Sequence, residues 1–297
     1  MENTGISSRQ LQQPRRVGNM TRQFSRALMS RPDYFAIAEA KNPFAREYAF
    51  VDLPLARTQW DNLCESFKRA RIEVSVLDPE PNLDDMCFTA PQAFVGIDHD
   101  ERSFAIPSRM LHRSRRDEVP PVTRWYSSQG YRIIDLELEG EEFLEGASDL
   151  LWNADWESVW AGFGRRSTRA AVDQFAALME AMEFQVHTLE IADPHFHHLN
   201  LCLAPLTPQS LLIYPGAFSP ETLARIRGWA NTLEVTREEA LQFACNGVAV
   251  NGYYIASRLS PHIEQILGKE GIEPMIVDLS EFHKAGGSVA SLKMLLP

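Results

Sequence analysis

Asp193-Pro194-His195-Phe196-His197-His198-Leu199-Asn200 sets several polar groups side by side just before an apolar run. Three readings of this stretch stand open. Asp193, His195 and His197 alternate, so on an extended chain they share one face and make a candidate metal site. A histidine at the mouth of a strand is also a candidate acid/base, because imidazole titrates near neutral pH. The third reading is a histidine-rich surface loop.

Working outward, three further segments carry chemistry-bearing side chains. Phe143-Leu144-Glu145-Gly146-Ala147-Ser148-Asp149 places two carboxylates around small residues at the entry to the apolar strand Leu150–Trp152. Such carboxylates orient a histidine, grip a cation, or sit solvated on a turn. Gly162-Phe163-Gly164-Arg165-Arg166-Ser167 joins a glycine turn and an arginine to a helix start, a natural carboxylate site as well as a plausible solvated surface. Near the C-terminus, Lys284-Ala285-Gly286-Gly287-Ser288-Val289-Ala290-Ser291-Leu292-Lys293 is a Gly-Gly turn feeding a last strand. It either brings a nucleophile to a strand end or is an ordinary tight turn.

Around these segments, apolar runs predict strands over 72–77, 86–97, 131–138, 150–152, 185–191, 199–203, 211–214, 248–255 and 275–279. Helices fall between several of them. One is expected from Ser167 as N-cap to about Met182, burying Val172, Phe175, Leu178, Met179 and Met182 on one face. Others follow Ser219 and the Ser260-Pro261 pair, where proline suits the first helical turn. Strand pairs alternating with single helices indicate an α/β fold. Periodicity leaves a doubly wound sheet and a propeller equally open. No GxGxxG or GxxxxGK[ST] fingerprint opens a helix, which removes the usual support for a nucleotide-binding fold.

Residues 1–27 are polar and aperiodic and are expected to be a flexible lead-in; 28–297 contain no linker and are expected to form one domain. The 297 residues are 44% hydrophobic, enough for a large core, with a net charge of −11. That charge disfavours nucleic acid and anionic membranes as partners. No apolar run reaches the ~20 residues of a membrane span, and no signal-peptide layout is present. Cys64, Cys87, Cys202 and Cys245 are scattered, with no CxxC pair, which fits a reduced, cytoplasmic setting.

Taken in order, the segments resemble the pentein superfamily, the α/β propellers of guanidine-modifying enzymes. Within it, they are similar to dimethylarginine dimethylaminohydrolases and amidinotransferases. Arg31-Pro32-Asp33-Tyr34-Phe35 with Asn42-Pro43 resembles the opening signature, and Asp84-Asp85-Met86-Cys87-Phe88-Thr89-Ala90 resembles "D-M-x-F-T-A". Glu145 to Asp149 resembles "E-G-x-G-D", and Gly162 to Ser167 resembles "G-x-G-x-R-[ST]". Asp193 to Leu199 resembles "D-P-R-F-Y-H-L", Cys245-Asn246 the "C-N" element, and Lys284 to Leu292 "K-[SA]-G-G-x-x-x-C-L".

The resemblance covers about residues 29–297. It implies a five-bladed propeller of ββαβ-type units with a central active site and no metal or organic cofactor. The implied chemistry is covalent amidino transfer or hydrolysis on arginine or an arginine-like amino acid. By position, His198 is the implied acid/base and Glu145 its orienting carboxylate. Arg166, with Arg115 or Arg116, is implied to hold the substrate carboxylate, and Asp85, Asp149 and Asn200 to belong to the binding site. The implied partner is a small amino-acid substrate, and assembly as a homodimer is allowed.

Three positions depart from the family pattern. Ser291 stands at the nucleophilic cysteine, Pro91 at a guanidinium-binding Asp or Asn, and Asn200 at an Asp. Losing a charge at such a clamp removes a bond worth roughly 1.5–3 kcal/mol. A serine hydroxyl stays protonated at neutral pH, whereas a thiol is readily lowered to a thiolate. Three accounts of Ser291 remain: an engineered replacement that traps substrate, a natural change of substrate or reaction, and a pseudoenzyme that binds a small ligand or a protein partner.

Overall fold

A computed structural model describes residues 25–46 and 49–297. Most of the expected lead-in lies outside the described residues, and its last two members, Arg26 and Ala27, already belong to the first strand.

The first blade contains β1 (Arg26–Ser30), α1 (Leu53–Arg69) and β2 (Glu73–Leu77). The second runs through β3 (Ala93–Ile97), β4 (Ser103–Pro107), α2 (Arg113–Arg116), α3 (Val119–Ser128) and β5 (Arg132–Ile133). A short α4 (Gly146–Asp149) leads into the third, β6 (Leu150–Trp152), β7 (Ser158–Phe163), α5 (Arg169–Ala181) and β8 (Gln185–Glu190). The fourth is β9 (Leu203–Thr207), β10 (Ser210–Ile213), α6 (Pro220–Trp229) and β11 (Asn231–Glu234). After α7 (Arg237–Leu241) comes the fifth, β12 (Val248–Val250), β13 (Tyr253–Ala256), α8 (Pro261–Lys269) and β14 (Glu273–Ile276). The chain then passes through α9 (Ser280–His283) to β15 (Met294–Leu296).

The described residues thus form five three-stranded sheets, the propeller that the resemblance implied. In the second to fifth blades the first two strands are antiparallel and the third returns parallel to the middle one. A parallel return requires a long crossover, and a helix fills it in every blade. The first blade is completed from the other end of the chain. β15 pairs antiparallel with β1, Arg26 opposite Leu296 and Leu28 opposite Met294, while β2 pairs parallel on the other side. Around the axis β15 packs on β3, β6 on β9 and β9 on β12, leaving a channel lined in part by Leu150, Asn200, Leu203, Val248 and Lys293.

Helix α5 buries Val172, Phe175 and Met179 as its spacing predicts, with Leu178 and Met182 half-buried against the same core. Its N-cap is Thr168, one residue later than expected, because the Ser167 side chain is engaged elsewhere. Ser219 and Ser260 do cap α6 and α8, each accepting a backbone N–H three residues on.

Several strands are shorter than the apolar runs. Residues 86–92 are turns and a 3₁₀ turn (Ala90–Gln92), since Pro91 has no N–H to give a ladder. Residues 199–201 are also a 3₁₀ turn, so β9 starts only at Leu203. The run 248–255 is a hairpin whose Asn251-Gly252 turn has both φ values positive, at 48° and 83°. Of 131–138 only Arg132–Ile133 pairs in a sheet, and the strand expected over 275–279 is instead β14, ending at Ile276. Among the described residues no helix is long and apolar enough to cross a membrane, and all four cysteines are free and buried.

Candidate active site

The segment Glu145–Asp149 folds back on itself because Gly146 has φ +40° and lies against the carbonyl oxygens of Ala93 and Ala90, where a Cβ has no room. Ser167 then locks the turn. Its hydroxyl accepts the Glu145 N–H at 2.9 Å and donates to Asp149 Oδ2 at 2.6 Å. Both carboxylates are buried and face the imidazole of His198.

The two nitrogens of His198 meet different partners. Nδ1 lies 3.1 Å from Asp149 Oδ1, which also accepts the Leu199 N–H at 3.0 Å. Nε2 lies 3.4 Å from Glu145 Oε2. Arg166 Nη1 donates to that same oxygen at 3.0 Å, and Leu111 N donates to Oε1 at 3.0 Å. Burial alone would raise the Glu145 carboxyl, but Arg166, His198 and Arg115 outweigh it and hold it down to about 2. Asp149, expected among the binding residues, grips Nδ1, and Glu145, expected to orient the ring, faces Nε2 together with Arg166.

Ser291 sits buried on a 3₁₀ turn (Val289–Ser291), with Gly287 close enough to Phe88 and to the Ser291 Cβ that a side chain there has no space. Its hydroxyl donates to Asn246 Oδ1 at 3.0 Å. The same oxygen accepts the Ser288 N–H at 2.8 Å, and Asn246 Nδ2 donates to the Asn200 carbonyl at 2.9 Å. Asn246 therefore ties the loop of Ser291 to the loop that follows His198. Among the described residues no hydrogen bond joins Ser291 to His198. Asn200 donates from Nδ2 to Ser148 Oγ at 3.4 Å, and its Oδ1 is buried without a partner.

The arginines separate. Arg115 is buried and spends its guanidinium on Glu118, at 2.7 Å, and on the carbonyls of Asp85 and Phe88, at 3.1 Å each. It braces the Asp85–Phe88 turn, where a carboxylate-binding role was expected for it or for Arg116. Arg116 donates to the Met110 and Leu111 carbonyls and covers the Phe143 ring, so it too is committed to its own loop. Arg166 pairs directly with Glu145 beside His198. Asp85 is paired at 2.9 Å with Lys41 Nζ, and Arg166 Nη2 donates to the Lys41 carbonyl at 2.9 Å.

The Asp193, His195 and His197 side chains do not converge. Asp193 and His195 pair with each other and with Arg237, near the surface. His197 is buried, its ring 6.0 Å from that of Phe44 and 4.8 Å from that of His198. Burial first, then His198 and Arg166, keep its imidazole neutral.

Sequence reasoning missed the site roles of Ser167, Asn246 and Lys41. Ser167 and Asn246 lay inside quoted motifs, where a hydroxyl or amide amid buried carboxylates and turns was the available signal. Lys41 carried no signal beyond its place before Asn42-Pro43.

The fold matches the N-terminal domain of ArgZ, a cyanobacterial arginine dihydrolase whose structure as a cysteine-to-serine mutant bound to substrate is known. The TM-score is 0.83 at 29% identity, covering 91% of this chain and 97% of that one. In sequence, the chain is 31% identical over 290 residues to the N(G),N(G)-dimethylarginine dimethylaminohydrolase of Mycobacterium tuberculosis, covering 97% of this chain and 90% of that protein. It is 31% identical over 273 residues to the bifunctional arginine dihydrolase/ornithine cyclodeaminase AgrE of Nostoc, covering 91% of this chain but 37% of that one. The family model described as eukaryotic N,N dimethylarginine dimethylhydrolase matches residues 31–294, and the chain belongs to that family.

Proposed function

We propose that the chain takes an amino acid bearing a guanidinium, amidine or related group into the centre of its propeller, with His198 as the acid/base. The observation that supports this most directly is the buried arrangement of His198 between Asp149 on Nδ1 and Glu145 with Arg166 on Nε2. The relatives named as dimethylarginine dimethylaminohydrolase and arginine dihydrolase support the substrate class. Arg166 receives the ligand carboxylate by exchanging the Lys41 carbonyl for it, and Asp85 lies beside it, where a cationic group of the ligand would have to displace Lys41. A cytoplasmic setting belongs to this reading and is supported by four free, buried thiols.

Chemistry of this class forms a bond from a thiolate sulfur to the guanidinium carbon. The departing amine takes a proton from the histidine; water then returns a proton to the histidine as its oxygen bonds to that carbon, and the C–S bond breaks, releasing a urea and restoring the thiolate. Ser291 changes the first step. Its proton is directed to the neutral Asn246 carbonyl, which is no base. The serine chain therefore holds ligand without forming the adduct. That arrangement also favours a second reading, a protein that binds the amino acid without turnover.

Replacing Ser291 by cysteine separates the two. Ser291→Cys, incubated with a panel of arginine, methylated arginines and neutral amidines, is expected to gain in intact-mass spectra the mass of the ligand less its departing amine, which is a bare amidino group if the alkyl amine leaves and the full amino-acid skeleton if ammonia or a methylamine leaves, while the parent gains none. If the cysteine variant binds ligand but never forms an adduct, the binding reading stands and the catalytic one falls.

A further inference from the structure

The segment 31–46 runs past the site and is fastened along its length, beginning with Asp33 on Arg57 and Phe35 on Phe88 and Phe282. Glu39 bonds Ser114, Lys41 meets Asp85 and Arg166, Asn42 Nδ2 donates to the Ala285 carbonyl, and Phe44 packs on His197 and Phe243. The centre of this strap is one residue. Lys41 places its ammonium 2.9 Å from Asp85 Oδ2, with the two side chains only 8% and 12% exposed. Its own carbonyl accepts from Arg166 Nη2 at 2.9 Å. A cation and an oxygen acceptor presented together are the two functions that an amino-acid ligand offers.

We propose that Lys41 is a specificity-determining residue: it fills from within the chain the cation position in front of Asp85, so a ligand that binds over it brings no cation to that carboxylate. The inference rests on Asp85 and Arg166 being the ligand-binding pair. An ordinary amino acid with a free ammonium or guanidinium must lift a buried ammonium from a buried carboxylate whose same oxygen already has Arg115 Nε 3.9 Å away, and a third cation added beside Lys41 and Arg115 is opposed by both. Pro91, which has no side-chain acceptor, adds nothing to draw such a cation in. The ligands favoured by the closed strap are amino-acid derivatives whose corresponding end is neutral, with a carboxylate left for Arg166.

The test is calorimetric titration of L-arginine into the full chain, Lys41→Met, Lys41→Gln and the double variant Lys41→Met/Asp85→Asn. Expected is at least tenfold tighter binding to Lys41→Met than to the parent, with the gain lost in the double variant. In parallel, Lys41 of the parent is acetylated with acetic anhydride and read by peptide mass mapping. It is expected to be protected alone and to become reactive as arginine saturates.

Equal affinity of parent and Lys41→Met overturns the proposal, as does arginine binding that leaves Lys41 protected. Should Lys41→Met not fold, Lys41→Gln and the acetylation of the parent decide. If no variant binds arginine, the proposal falls. Labelling of Ser291→Cys by a haloacetamidine then tells whether the amidine site itself survives, since only a working pocket directs that reagent to residue 291.

Discussion

Asp149 Oδ1 accepts from both Nδ1 of His198 and the backbone N–H of Leu199, at 3.1 and 3.0 Å. One oxygen thereby sets the angle of the imidazole and the position of the peptide that carries it. The second oxygen is held by Ser167, so the carboxylate cannot rotate away.

The first prediction follows from this grip. In the Ser291→Cys background, Asp149→Asn offers an amide that also donates, which permits the wrong ring tautomer and loosens the Leu199 contact. The rate of adduct formation is expected to fall by roughly 10²–10⁴-fold, the range that a positioned acid/base contributes. Ligand affinity by calorimetry is expected to change much less. Stopped-flow adduct kinetics check it. An unchanged rate, with Glu145→Gln inactive, would return the orienting role to Glu145.

A second prediction concerns the turn that carries both carboxylates. Gly146→Ala puts a Cβ against the Ala93 carbonyl at φ +40° and is expected to cost roughly 2–4 kcal/mol, with lower ligand affinity as the turn shifts. Gly228 in α6 is the matched control. It is exposed, with nothing near its missing Cβ, and Gly228→Ala is expected to stabilise by about 0.5–1 kcal/mol. Urea unfolding midpoints measure both.

The contrast between such turns and the rest of the site explains what was legible beforehand. Motifs built on backbone constraint could be read from residue type: Gly146 and Gly287 tolerate no Cβ, and Asn251-Gly252 is a turn by its chemistry even though its flanks read as one strand. Partner choice was not readable. Arg115 and Arg166 are alike as letters, and only packing shows that Arg115 closes on Glu118, three residues away, while Arg166 reaches Glu145. Which carboxylate meets Nδ1 depends on a hydroxyl, Ser167, whose place before the helix made it look like a cap. Lys41 was invisible because a lysine in a loop is ordinarily solvated. Its burial comes with contacts to Asp85 and Arg166, both far along the chain from it.

A third prediction concerns acid. Glu145 is held down to about 2, and burial pushes the His283 imidazole down to about 4 from its usual 6.5. For Glu145 the unfolded chain takes up a proton that the folded chain refuses, so its contribution is complete above about 4.5 and is lost as pH falls toward 2. For His283 the unfolded ring charges first, so stability is lost as pH falls from 6.5 toward 4. Each is worth of the order of 3 kcal/mol at full effect. Denaturant titrations across pH are expected to show a shallower slope between 6.5 and 4 in His283→Phe, the other buried imidazoles keeping the remainder, and a shallower slope below 4.5 in Glu145→Gln. A wild-type slope between 6.5 and 4 in His283→Phe removes that histidine from the account.

The last prediction concerns the axial channel. Lys293 is 9% exposed, and among the described residues it makes no ion pair or hydrogen bond. Burial pushes its amine down to about 8 from 10.5. Below pH 8 the folded chain bears the cost of a charged amine with little water around it. Between 8 and 10.5 the folded state loses that proton while the unfolded state keeps it, so stability rises with pH. Above 10.5 both states are neutral and the cost is gone. A methionine has nearly the shape of the lysine without the charge. Lys293→Met is therefore expected to stabilise the chain at pH 7 by up to about 3 kcal/mol, with the advantage shrinking to nothing near pH 10.5. Added phosphate or a carboxylate that entered the channel would offset the cost in the parent and reduce the difference between the two proteins. A Lys293→Met chain no more stable than the parent at pH 7, in buffer free of such anions, shows that water in the channel already solvates the ammonium in full.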